Sequence, residues 1–170
     1  MSMTSPTEQP TPTGIPLTVL PRLINEGHNT GAWHGSDFLT AIAGVDAATA
    51  ARRPAPERHA IGEIVLHHAY WIRVVRGRLT GVALEPFVLE GEDWFEWSDE
   101  SRLSWVEVCQ ALLTELERLR DTVQAINTGL VSSPLDAEKR FDQVLGIAMH
   151  AAYHAGQIEL VKKLIQSVAV

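Results

Sequence analysis

The stretch "HAIGEIVLHHAYWIRVVRGRLTG", residues 59–81, decides the fold. Positions 61, 64, 65, 68, 72, 75 and 79, all apolar but for His68, recur with the period of an α-helix, and strict alternation is absent. Gly81 is placed to end the helix.

Working outward, two more long helical patterns appear. Leu103, Val106, Leu112, Leu113, Leu116, Leu119, Val123 and Ile126 predict a helix over about 99–127, capped by Ser98 with Asp99 and Glu100 in its first turn. Val144, Ile147, Ala151, Ile158, Val161 and Ile165 form the inner stripe of a helix over about 141–167. Upstream, Leu17, Leu20, Leu23 and Ile24 are spaced for a short helix, and Phe38, Leu39, Ile42 and Val45 for another piece. Gly27 and Gly31 are expected to interrupt the two.

Pro54 and Pro56 make "RRPAPER" (52–58) a loop. Residues 82–98 read as a long loop, with "EPFVLE" the only place for a short strand, and long loops in compact domains are often functional. Residues 1–16, rich in Pro, Thr and Ser, predict a disordered tail before a single domain over 17–170. The fold class is all-α, and an antiparallel four-helix bundle is the natural way to bury these stripes.

Composition narrows the function. The chain has 170 residues with 14 Lys and Arg against 21 Asp and Glu, a net charge of −7. Phosphate contacts need clustered cations, so neither a nucleic-acid nor an anionic-membrane partner is expected. No apolar run of transmembrane length occurs. The N-terminus lacks a basic-then-apolar leader, which predicts a cytoplasmic protein. Cys109 is the only cysteine, so an intramolecular disulfide and a Cys-based zinc site are excluded. It is expected to be a small core residue.

The residues that carry chemistry are histidines. "MHAAYHAGQI" (149–158) sets His150 and His154 four apart on an apolar stripe, hence on one helical face. Two neutral imidazoles in a dry core both need partners, and one cation takes a lone pair from each. The candidates for a third ligand are His28, His34, His59, His67 and His68, and "LHHAYW" lies mid-helix, where a bundle sets inward side chains beside the last helix. Periodicity favours His68, which joins Ile61, Ile64, Val65, Ile72 and Val75. His67 joins Ile64, Trp71 and Val74, and Glu63 lies one turn before it, able to orient its second nitrogen. Neighbours differ by about 100°, so one of the two points straight inward, and spacing leaves the choice open.

The remaining candidates divide by surroundings. Gln157 is placed to hydrogen-bond a ligand, water or the backbone, and His34 either faces the pocket or opens a helix. Gly156 suggests close helix approach, Tyr153 points away from the site, and Glu159 with Lys163 suits an i, i+4 surface pair. Trp94, Phe95 and Trp97 are expected as core, a cover over the site or an interface. The Glu-x-x-His pairs of a di-iron bundle are missing from the helices that carry His67 and His150, and a haem held by two histidines would leave one unused.

These pieces together resemble the DinB-like (DinB/YfiT) superfamily of metal-dependent four-helix-bundle proteins. The resemblance covers nearly all of the chain after the tail. It rests on "AWHGSDFL" (32–39), residues 61–81, "EDWFE" (92–96), Trp105 and "HAAYHAGQIELVKKL" (150–164), with HxxxHxGQ the most specific part. It implies one divalent transition metal (Zn, Ni or Fe) held by three histidines. The pattern hxELhxHhxxW places the first on His67, with His150 and His154 from the last helix, and leaves His68 as a flanking residue. It further implies an open coordination position and a low-molecular-weight thiol or a water activated there, for transfer, isomerisation or hydrolysis of a small-molecule substrate. A homodimer is implied as well. Some relatives carry a carboxylate where this chain has Ala151, which removes a candidate base. The competing expectation is a non-catalytic, stress-related binding or interaction module that keeps the bundle and the metal.

Overall fold

The computed structural model describes residues 16, 18–29, 31–98 and 100–167. The predicted tail falls outside them but for Pro16. Among the described residues the protein is all-helical, without a strand. The elements are α1 (Val19–His28), α2 (Phe38–Ile42), α3 (Ala47–Ala51), α4 (Ile61–Thr80), α5 (Trp105–Asn127) and α6 (Ala137–Ser167). Helix α4 packs on both α5 and α6, and α1 packs on α6 and α5. One hydrophobic cluster runs through all of them.

Helix α4 follows its pattern: Ile61, Ile64, Val65, His68, Ile72, Val75 and Leu79 are all buried. Gly81 ends it at φ 68, a left-handed conformation that glycine adopts without steric cost. At the other end, the Glu63 carboxylate accepts the Ala60 N–H at 3.0 Å, satisfying one of the four donors a helix start leaves open. The predicted inner stripe of α6, from Val144 to Ile165, is buried throughout.

Helix starts differ from expectation. α5 begins at Trp105, capped by Ser104, whose side chain accepts the Glu107 N–H while Glu107 reaches back to the Ser104 N–H. Ser98 lacks an acid three residues on and instead closes a turn with Ser101. Leu103 therefore lies in the preceding loop, and Val106 and Leu113 are exposed. α6 starts at Ala137 because Asp136 accepts the Lys139 N–H at 2.8 Å, a cap that extends the helix upstream. "EPFVLE" is loop, not strand.

The two upstream glycines have different jobs. Gly31, at φ 99, lies beyond the end of α1. Gly27 stays inside the helix and is buried. A Cβ there would sit 2.9 Å from the Ala148 carbonyl oxygen and 3.1 Å from Ala151 Cβ, so α1 lies directly on the α6 backbone. Gly156, expected at a close approach, is exposed, with nothing within 4 Å of a Cβ placed on it. Glu159 pairs with Lys162, at 3.1 Å, in place of Lys163.

Candidate metal centre

His67 comes from the middle of α4, and His150 and His154 from the middle of α6. Helical phase turns the two α6 rings to one face, and the packing of α4 on α6 brings His67 opposite. His150 Nε2 lies 3.1 Å from His67 Nε2 and 3.1 Å from His154 Nε2. One ligand atom from each of the three lies within 4.8 Å of the others, a spacing that one ion can bridge.

The other nitrogen of each ring is already engaged. His67 Nδ1 donates to the Asp93 carbonyl oxygen at 2.9 Å. His154 Nδ1 donates to Gln157 Oε1 at 2.8 Å. His150 Nδ1 lies 2.8 Å from His68 Nδ1. A neutral imidazole that donates from Nδ1 has its lone pair on Nε2. The three Nε2 atoms that face one another are therefore the atoms a metal requires, each ring held from behind in the manner of metal-binding histidines.

Charge supports this state. Burial is the main cause that lowers the pKa of every ring here: His150 to about 3, His154 to about 4, and His67 below its ordinary value. Neighbouring histidines add to the effect for all three. Neutral rings at pH 7 are ready to ligate, since a protonated imidazole offers no lone pair.

The loop after α4 closes the site. Trp94 lies flat on His67, with ring centroids 3.9 Å apart and 8° between planes, and its other face carries His59 at 3.6 Å. Phe95 and Trp97 are core residues. Asp93 is the pivot. Its φ of 66 is rare for a residue with a side chain, though Asp tolerates it. That backbone turn aims its carbonyl at His67 while its Oδ1 accepts the Trp71 indole N–H at 2.7 Å. Beside His150 a cleft of ≈ 170 Å³, bordered by Trp71, Arg78 and Gly146, opens to solvent. A larger cleft of ≈ 400 Å³, between Phe87, Leu103 and Ala111, contains none of the histidines.

Other candidates lie elsewhere. Glu63 does not orient His67: it caps α4 and pairs with Arg53. His34 is exposed and reaches only the Glu26 carbonyl, at 3.2 Å. Tyr153 is exposed, as its phase requires. Cys109 packs against the core, and burial raises its thiol pKa to about 11, which keeps it protonated. Sequence reasoning missed Asp93, and it had His28 as a candidate third ligand but not as the partner of His68. The unusual backbone at Asp93 has no local sequence marker except Gly91 nearby, and His28 sits at the end of a short helix far from the motif.

The sequence profile of the DinB superfamily matches residues 32–158. The chain belongs to the DinB superfamily. The match takes in all three histidines of the candidate centre and stops short of α1. Comparison with curated proteins and with solved structures gave no match.

Proposed function

We propose that this DinB-superfamily protein is a mononuclear metal protein whose ligands are His67, His150 and His154, each through Nε2. The observation that carries the reading is the joint arrangement of six nitrogens: three Nε2 atoms converge while each matching Nδ1 is held by its own partner. Three neutral nitrogens suit Zn(II), Ni(II) or Fe(II) and leave a coordination position open. Such an ion supplies Lewis acidity, which favours a deprotonated water or thiol at neutral pH.

The chain's own residues supply the rest. Trp94 shields one side of the site from water, and the cleft beside His150 gives access on another. Its ≈ 170 Å³ is below the roughly 300–1,000 Å³ typical of ligand pockets, so it admits the reacting end of a small-molecule substrate or low-molecular-weight thiol while the rest stays outside. The reaction class is thiol transfer, isomerisation or hydrolysis. The bundle is antiparallel and four-stranded, built on α1, α4, α5 and α6 as one domain. It assembles as a homodimer, for which the exposed α6 residues Met149, Tyr153, Leu160 and Leu164 offer an apolar face. The protein is cytoplasmic. No described helix is long and apolar enough to cross a membrane.

One observation favours a second reading, a non-catalytic binding module that keeps the metal. Ala151 is fully buried toward Gly27, so no carboxylate stands where some relatives have one.

The test is elemental analysis of untagged protein beside His150→Ala. About one equivalent of a transition metal is expected, lost in the variant. Less than about a tenth of an equivalent after reconstitution would sink the metal reading. With metal bound, turnover with a thiol cofactor distinguishes enzyme from module.

A further inference from the structure

Two fully buried histidines are not used as ligands, His28 on α1 and His68 on α4. Their nitrogens run in series toward the candidate centre. His28 Nδ1 lies 2.8 Å from the Ile24 carbonyl oxygen. A carbonyl only accepts, so the His28 proton is on Nδ1 and its Nε2 carries a lone pair. His28 Nε2 lies 2.8 Å from His68 Nε2, so His68 donates from Nε2. That leaves His68 Nδ1 as an acceptor, 2.8 Å from His150 Nδ1. His150 then donates from Nδ1, and its Nε2 lone pair faces His67 and His154. With neutral rings each step has one solution, and the last is the tautomer a ligand needs.

We propose that His28 and His68 act as positioning residues, a hydrogen-bonded chain anchored on the Ile24 carbonyl that holds His150 in its Nδ1–H tautomer with Nε2 free for a metal. The use of that lone pair rests on the three-histidine reading above, whereas the order of protons along the chain does not. Burial keeps the rings neutral: it lowers the pKa of His28 to about 4 and that of His68 well below its ordinary value.

The chain is an anchor and not a proton relay. A backbone carbonyl is too weak a base to take a proton at the far end. Reversing the order would set the His28 Nδ1 lone pair against the Ile24 oxygen, an unmade bond between two buried acceptors. Packing holds the rings in place. The His68 ring stacks on Phe38 at 4.4 Å, and Gly27 lets α1 approach α6 closely enough to bring His28 to His68. The superfamily match begins at residue 32, so His28 and Ile24 lie outside the matched residues.

Long-range proton–nitrogen NMR on metal-free, full-length protein with ¹⁵N-histidine reads the tautomers directly. At pH 7.5 the expected pattern is Nδ1–H for His28 and His150 and Nε2–H for His68. His28→Gln keeps an acceptor near the old Nε2 position and should preserve the order at His68 and His150. His28→Leu removes the acceptor and should give mixed tautomers at His150. Zinc affinity, measured by chelator competition, should fall about tenfold or more in His28→Leu and recover in His28→Gln. A wild-type His150 protonated on Nε2, or a His150 unchanged in His28→Leu, would overturn the proposal. Tautomers in the stated order in a protein that binds no metal would sustain the chain and defeat the metal reading alone. The wild-type spectrum decides the proton order even if His28→Leu does not fold.

Discussion

Asp93 carries more of the site than its place in a loop suggests. It accepts from His67 through its backbone and from Trp71 through its side chain, and it does so from a left-handed backbone. Asp93→Ala should lower metal affinity about 10–100-fold, because alanine disfavours that backbone and the Trp71 bond is lost. Asp93→Asn keeps both and should stay near wild type. Competition titration of the two variants checks this, and equal loss in both would mean that charge and not geometry matters. At this scale the sequence was partly legible. Periodicity singles out His68 as the inward neighbour, and His68 is indeed the more deeply buried of the pair. But periodicity measures depth, and a ligand must face a shared point, which depends on where α6 lies. The choice of His67 as a candidate came only from the resemblance to a known motif, and the structure sets its ring beside His150 and His154. Gln157 was legible as a hydrogen-bonding candidate but not as the partner of His154, because its rotamer is a tertiary matter.

Helices and their buried faces were legible because apolar spacing reports directly on burial. The stripes of α4 and α6 are buried at every position read as core. Helix ends were less so, because the rule applied was incomplete. Ser98 and Ser104 both precede acidic residues, but only Ser104 has Glu three residues later, the reciprocal arrangement that makes a capping box. Glycine roles were not legible, since flexibility and close packing call for the same residue. Gly27 and Gly156 therefore make a paired prediction on α1 and α6. Alanine in a helix interior is favoured over glycine by about 0.8–1.0 kcal/mol when nothing else changes. Gly156→Ala meets open space and should gain up to that amount. Gly27→Ala drives a methyl into the α6 backbone and should lose about 1–3 kcal/mol. Urea denaturation of both variants measures the signs. A stabilised Gly27→Ala would mean that α1 does not need its close seat on α6.

For the whole molecule, the buried histidines couple folding to pH. In the folded chain burial lowers the His28 pKa to about 4, against 6.5 for the free ring. The unfolded state therefore binds more protons between these two values, so stability rises with pH through that window and is lost as pH falls. His28 alone contributes on the order of 3 kcal/mol, fully present above about pH 6.5 and gone below about pH 4. His67, His68, His150 and His154 shift the same way and steepen the fall. A metal held by the three histidines as proposed would add to this balance, because it takes only the neutral rings of the folded state. At a hundredfold excess over Kd it stabilises by about 2.7 kcal/mol, worth roughly 5–10 °C in Tm for a chain of this size. Thermal unfolding should thus show a metal-free Tm that drops steadily from pH 7.5 to 4.5. Zinc should raise Tm at pH 7.5, and the rise should fade only near pH 4 and below, where His154 and then His150 take up protons in the folded chain. A metal-induced rise in Tm that survives undiminished in His150→Ala would place the ion on other ligands and not on these histidines, and a metal-free Tm flat across the range would show that the rings are not buried neutral in solution.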